Sequence, residues 1–162
     1  ATNSLGGNVS YPGFSPGSLT TDPFFHHTKA MRLGWASSGN VFTSSIPIAH
    51  KDMSAYEYLS FRVAQEHDNG VLNPVGGSAL VRVGLRDNNG IGRTVYTTQY
   101  EGISYPYQRN FSSFQAQMRT IRIPLQNFTL NNSGIDLEDL DEITIEGLGT
   151  GLIIIDDIHF SL

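Results

Sequence analysis

Residues 142–162 read EITIEGLGTGLIIIDDIHFSL, and their pattern decides the fold class. Ile143 and Ile145 alternate with Thr144 and Glu146, so one side of the first run is apolar and the other wet, as in a half-buried strand. The glycine-rich Gly147-Leu-Gly-Thr-Gly that follows is turn chemistry. A second run then extends to the last residue. Ile154, Asp156, Ile158, Phe160 and Leu162 share one side of it, and Ile153, Ile155, Asp157 and His159 share the other. If Ile158, Phe160 and Leu162 face a core, an unbroken period of two turns Asp156 inward with them. A buried carboxylate is costly without a partner, and a cation at the sheet edge would supply one.

The same grammar recurs upstream. Strands are expected at 29–36, 41–46 (VFTSSI), 57–66 (EYLSFRVAQE), 78–87 (SALVRVGLRD), 92–100 (GRTVYTTQY), 118–125 (MRTIRIPL), 142–147 and 151–162, with a further one near 8–14. Turns such as Asp87-Asn-Asn-Gly separate them. Leu59, Phe61 and Val63 share a face, as do Val81, Val83 and Leu85, and Ile121, Ile123 and Leu125. Each run therefore has one core face and one wet face, the signature of antiparallel sheets. Many short strands joined by turns define an all-β protein, a β-sandwich of jelly-roll type with two antiparallel sheets. The core expected between the sheets is Leu59, Phe61, Val63, Val81, Val83, Leu85, Ile121, Ile123, Ile143, Ile145, Ile158 and Phe160. Residues 1–28 read as loops around the possible first strand. Helix is expected only in short pieces, around Leu137–Leu140 or Ser54–Tyr56.

Composition narrows the function. The length of 162 residues suits one domain, 1–162. Charged residues make up 15 %, below the roughly 25 % of average soluble domains. The net charge is −5 and no basic block stands out, which argues against nucleic acid. No apolar run is long enough to span a membrane. Cysteine is absent, so disulfides, thiolate metal sites and cysteine nucleophiles are excluded. Nucleophile elbows, zinc-protease helices and phosphate-binding glycine loops are likewise missing. The basic residues are mostly Arg, whose planar fork suits fixed polar recognition. The sequons at Asn127 and Asn131 read as chance in an Asn- and Thr-rich chain.

The stretch 29–63, with KAMRLGW and DMSAYEYLSFRV, and the stretch 118–160, with RTIRIPLQNF and IDLEDLDEITIEGLGTGLIIIDDIHF, resemble the opening and closing halves of β-jelly-roll carbohydrate-binding modules. The family is the type appended to glycoside hydrolases and polysaccharide lyases. The resemblance implies a noncatalytic accessory module, secreted or at the cell surface. It would be part of a larger multidomain chain and would target an enzyme to a polysaccharide. It also implies a structural calcium, with Asp156 as the mapped ligand and the loops of 1–28 as the source of the rest. A monomer is expected.

Sugar recognition needs aromatic rings for the pyranose face and planar polar groups for its hydroxyls. The wet-face residues Tyr58, Arg62, Arg82, Tyr96 and Arg122 are the candidates, with Asp157 and His159 at the border. Between ligand contact and salt ladder, Arg62 and Arg82 lean to the ligand, and Arg122 and Glu146 to the ladder. The segment 93–111, RTVYTTQYEGISYPYQRNF, gathers Tyr96, Tyr100, Tyr105 and Tyr107. Its Tyr100–Arg109 loop is the alternative site. Trp35 reads as a core or edge plug before a stacking platform. A small jelly-roll glycosidase or lyase is the second reading, although Glu101 and Glu146 lack a supporting pattern. A spacer or adhesin module without sugar affinity is the third.

Overall fold

In the computed structural model, the described residues are 8–10, 18–21, 29–66, 79–110 and 113–162. The described strands are β1 (Val9–Ser10), β2 (Ser18–Thr21), β3 (Lys29–Trp35), β4 (Asn40–Ser45), β5 (Tyr58–Gln65) and β6 (Leu80–Asp87). They continue with β7 (Gly92–Tyr96), β8 (Tyr107–Asn110), β9 (Ser113–Gln115), β10 (Arg119–Pro124), β11 (Leu140–Leu148) and β12 (Gly151–Ser161). One sheet has the order β1-β4-β11-β6-β7 and the other β10-β5-β12-β3-β2, with β8-β9 a separate hairpin. Every pairing is antiparallel. The two five-stranded sheets close over one apolar core, which is the jelly-roll sandwich expected from the alternation.

The core residues come from every second position of each strand. Leu59, Phe61 and Val63 of β5 meet Val81, Val83 and Leu85 of β6, with Ile121 and Ile123 of β10 and Ile143 and Ile145 of β11. Ile158 and Phe160 pack against this cluster only partly buried. Trp35 is 1 % exposed and donates its indole N–H to the Leu148 carbonyl at 3.2 Å, so it is a core plug. A Cβ at Gly147 or Gly151 would overlap its ring, which explains two glycines at the β11–β12 connection.

Two sequence expectations change. Leu137–Leu140 and Ser54–Tyr56 are not helical. The first segment leads into β11, and the two regions bond to each other, with Met53 N–H on the Leu137 carbonyl and Leu140 N–H on the Lys51 carbonyl. The described helical pieces are α1 (Gln126–Thr129) and single 3-10 turns at Ile48–His50, Thr97–Gln99 and Leu130–Asn132. The early strand spans Val9–Ser10, and residues 11–14 of that expectation lie outside the described residues, as do most of 1–28.

The second change is in β12. Its register against β5 shifts between Asp156 and His159, and Asp157 has φ 51. This extra residue is a β-bulge, and it resets the phase. Ile155 lies opposite Val63 and Phe160 opposite Leu59, both facing the core, whereas Asp156 lies opposite Arg62 and His159 opposite Ser60 on the outer face. Asp156 therefore points away from the core that Ile158 and Phe160 join.

Candidate functional site

The wet sides of β5, β6 and β10 are as expected and that of β12 is reset by its bulge, but the strands do not share one sheet. Tyr58 and Arg62 lie on β5, Arg122 on β10, and Asp157 and His159 on β12, all in one sheet. Arg82 on β6 and Tyr96 on β7 lie in the opposite sheet. The seven candidates thus divide between two outer faces. Alternation reports which side of a strand is wet and carries no information about which sheet the strand joins.

On the first of these faces, pairing builds three rows. Pro124, Tyr58 and Ser161 form one, Arg122, Ser60 and His159 the next, and Thr120, Arg62 and Asp156 the third. The Arg122 guanidinium stacks over the Tyr58 ring, with Cζ 4.1 Å from the centroid, and donates Nη2 to the Leu162 carbonyl at 3.0 Å. Arg62 reaches Asp157 Oδ2 at 3.5 Å. The His159 Nδ1 lies 2.7 Å from the Asp157 carbonyl oxygen, and Asp157 N–H donates to Asp156 Oδ1 at 2.9 Å. The bulge thereby holds a carboxylate and an imidazole side by side in the open, since Asp157 and His159 are both exposed. Ser60, Thr120 and Ser161 complete this face and were not singled out from sequence. Their signal was present as the same phase on the same strands.

Farther along this sheet the outer side is closed. Ala30, Ala64, Leu152 and Ile154 are buried there, and Arg32 is ion-paired with Glu66. The polar rows occupy the open part.

The opposite face has a different character. Arg82 donates to Glu146 with Nη2 at 2.5 Å and Nε at 3.0 Å, and that bond holds the Arg82 pKa above its ordinary value. Arg86 is ion-paired with Glu142. Both arginines are thus members of a ladder with β11, the role expected of Glu146. Arg122, also expected in a ladder, has no Asp or Glu partner among the described residues. Tyr96 is 47 % exposed beside Arg82, 6.0 Å from Cζ to ring centroid. The Tyr100–Arg109 loop contributes a tie to the core: Tyr100 packs against it and its hydroxyl accepts a hydrogen bond from Asn127 of α1 at 2.5 Å.

Among the described residues, no group of three or more His, Cys, Asp or Glu side chains is placed to hold a metal. Asp156 lies opposite Arg62 in the β12–β5 register and faces outward, so the inward phase that marked it as a calcium ligand is absent. No helix among the described residues is long and apolar enough to cross a membrane.

This architecture is that of the jelly-roll carbohydrate-binding modules. The chain is similar to the family 30 carbohydrate-binding module of the cellulosomal cellulase Cel9D-Cel44B of Clostridium thermocellum, with TM-score 0.63 and 12 % identity over 99 % of this chain and 93 % of that one. It is similar to the family 11 module of Lic26A-Cel5E from the same organism, with TM-score 0.55 and 14 % identity over 96 % and 82 %. It is also similar to part of an exo-β-agarase, with TM-score 0.60 and 13 % identity over 99 % of this chain and 23 % of that one. At these identities the likeness is one of fold. No protein-family model and no curated protein matches the sequence.

Proposed function

We propose that this chain is a noncatalytic carbohydrate-binding module whose saccharide lies along the open outer face of β10, β5 and β12. The observation that carries the reading is the gathering of Tyr58, Arg62, Arg122, Asp157 and His159 on one strand-borne face. The shared fold with carbohydrate-binding modules supports it. Side chains fixed on paired strands lose little freedom on binding, which suits recognition of a flexible polymer. The open face desolvates few groups, so affinity is on the order of micromolar or weaker. Within this reading the module is a monomer, secreted or at the cell surface, and joined to a polysaccharide-degrading enzyme that it brings to its substrate.

Affinity electrophoresis against a polysaccharide panel tests the proposal, with reducing-sugar release measured in parallel. Retardation without product release is expected. Arg62→Ala and His159→Ala should each weaken binding by about 1–2 kcal/mol, while Tyr96→Ala on the opposite face leaves it unchanged. Weakening by Tyr96→Ala or Arg82→Ala alone would move the site to the other sheet. Product release would make the chain an enzyme. A structural calcium, if held by other residues of the chain, is expected to respond to chelation equally in the parent and in Asp156→Asn, as read by melting temperature.

A further inference from the structure

The two outer faces treat their arginines differently, and the difference bears on ligand charge. On the β6–β11 face Arg82 and Arg86 are bound to Glu146 and Glu142. On the opposite face Arg62 is close to Asp157 and lies across from Asp156. Arg122 stands one strand farther out, on the edge strand β10, exposed and without an Asp or Glu partner among the described residues. Its plane is already fixed by the Tyr58 ring and by one hydrogen bond to the main-chain oxygen of Leu162. Most of its N–H donors remain unspent, and a guanidinium held flat in this way matches the two oxygens of a carboxylate. His159 lies in the Arg122 row, across Ser60.

We infer that the saccharide bound by this face is acidic, a polymer carrying carboxylates such as a uronan, with Arg122 as the residue that selects it. This rests on the carbohydrate-binding reading above. Tyr58 is then a positioning residue, because Arg122 covers the ring face that a sugar would otherwise stack on. The net charge of −5 repels a polyanion at long range, so retention of one requires a local site of this kind.

The test uses polygalacturonate, the same polymer after carboxyl reduction, and a soluble neutral β-glucan, in affinity electrophoresis and titration calorimetry. Polygalacturonate is expected to bind and its reduced form to bind at least tenfold more weakly. Arg122→Gln should weaken polygalacturonate binding at least tenfold at unchanged melting temperature, and Arg122→Lys should recover only part of the loss. Tyr58→Leu should weaken it through Arg122, so that its effect vanishes in the Arg122→Gln background. Equal binding of the reduced polymer, or unchanged binding by Arg122→Gln, overturns the inference. Binding of the neutral glucan alone overturns it while leaving the sugar-binding reading standing. Binding of no saccharide overturns both.

Discussion

The carboxylate of Asp87 is 1 % exposed and accepts three backbone N–H groups, from Asn89 and Ile91 at Oδ1 and from Asp136 at Oδ2. It therefore both closes the β6–β7 turn and ties that turn to the segment entering β11. Truncation leaves these donors without their partner, and an unsatisfied buried group costs about 1–3 kcal/mol. Asp87→Ala is expected to lower unfolding stability by about 3 kcal/mol, measured in urea. A loss below about 1 kcal/mol would show that water replaces the carboxylate there. The turn itself was legible from Asp87-Asn-Asn-Gly. Its reach to Asp136 was not, because a contact spanning 49 positions leaves no local pattern. Gly151 makes the complementary point about space. Its missing side chain admits the Trp35 ring, so Gly151→Ala should destabilise by about 1–3 kcal/mol through overpacking.

Strands were readable wherever the period of two ran unbroken, as in β5, β6 and β10. In β12 it breaks. The alternation taken straight through residues 153–162 turns Asp156 inward, and one bulged residue at Asp157 turns it outward. A bulge inserts a residue without changing the composition of the run, so nothing in the run's alternation announces it. The backbone of Asp157 lies in the left-handed region, which short polar residues and glycine tolerate and β-branched ones do not. Asp157→Val should therefore cost about 1–2 kcal/mol, with Asp157→Gly near neutral. Equal stability of both variants in thermal unfolding would mean that the bulge relaxes without penalty. Since the bulge also presents His159 and Asp157 together, the valine variant should lose saccharide affinity as well as stability.

At the scale of the molecule, the faces were legible and their distribution between sheets was not. Tyr58 and Tyr96 carry the same sequence signal, an aromatic opposite core positions, and lie on opposite sides of the sandwich. Only long-range pairing separates them. The same pairing makes one residue a reporter of how the sheets unfold. Trp35, the sole tryptophan, belongs to β3 of one sheet, while the glycine at 147 that its ring covers belongs to β11 of the other. Its emission thus follows the docking of the two sheets, and far-ultraviolet circular dichroism follows the strands themselves. If residues 1–162 form one cooperative domain with a shared core, the two signals should lose their native values at the same urea concentration, with the buried indole shifting to longer wavelength as it meets water. Separated midpoints, with fluorescence changing first, would mean that the sheets part before they unfold and that the sandwich is not a single cooperative unit.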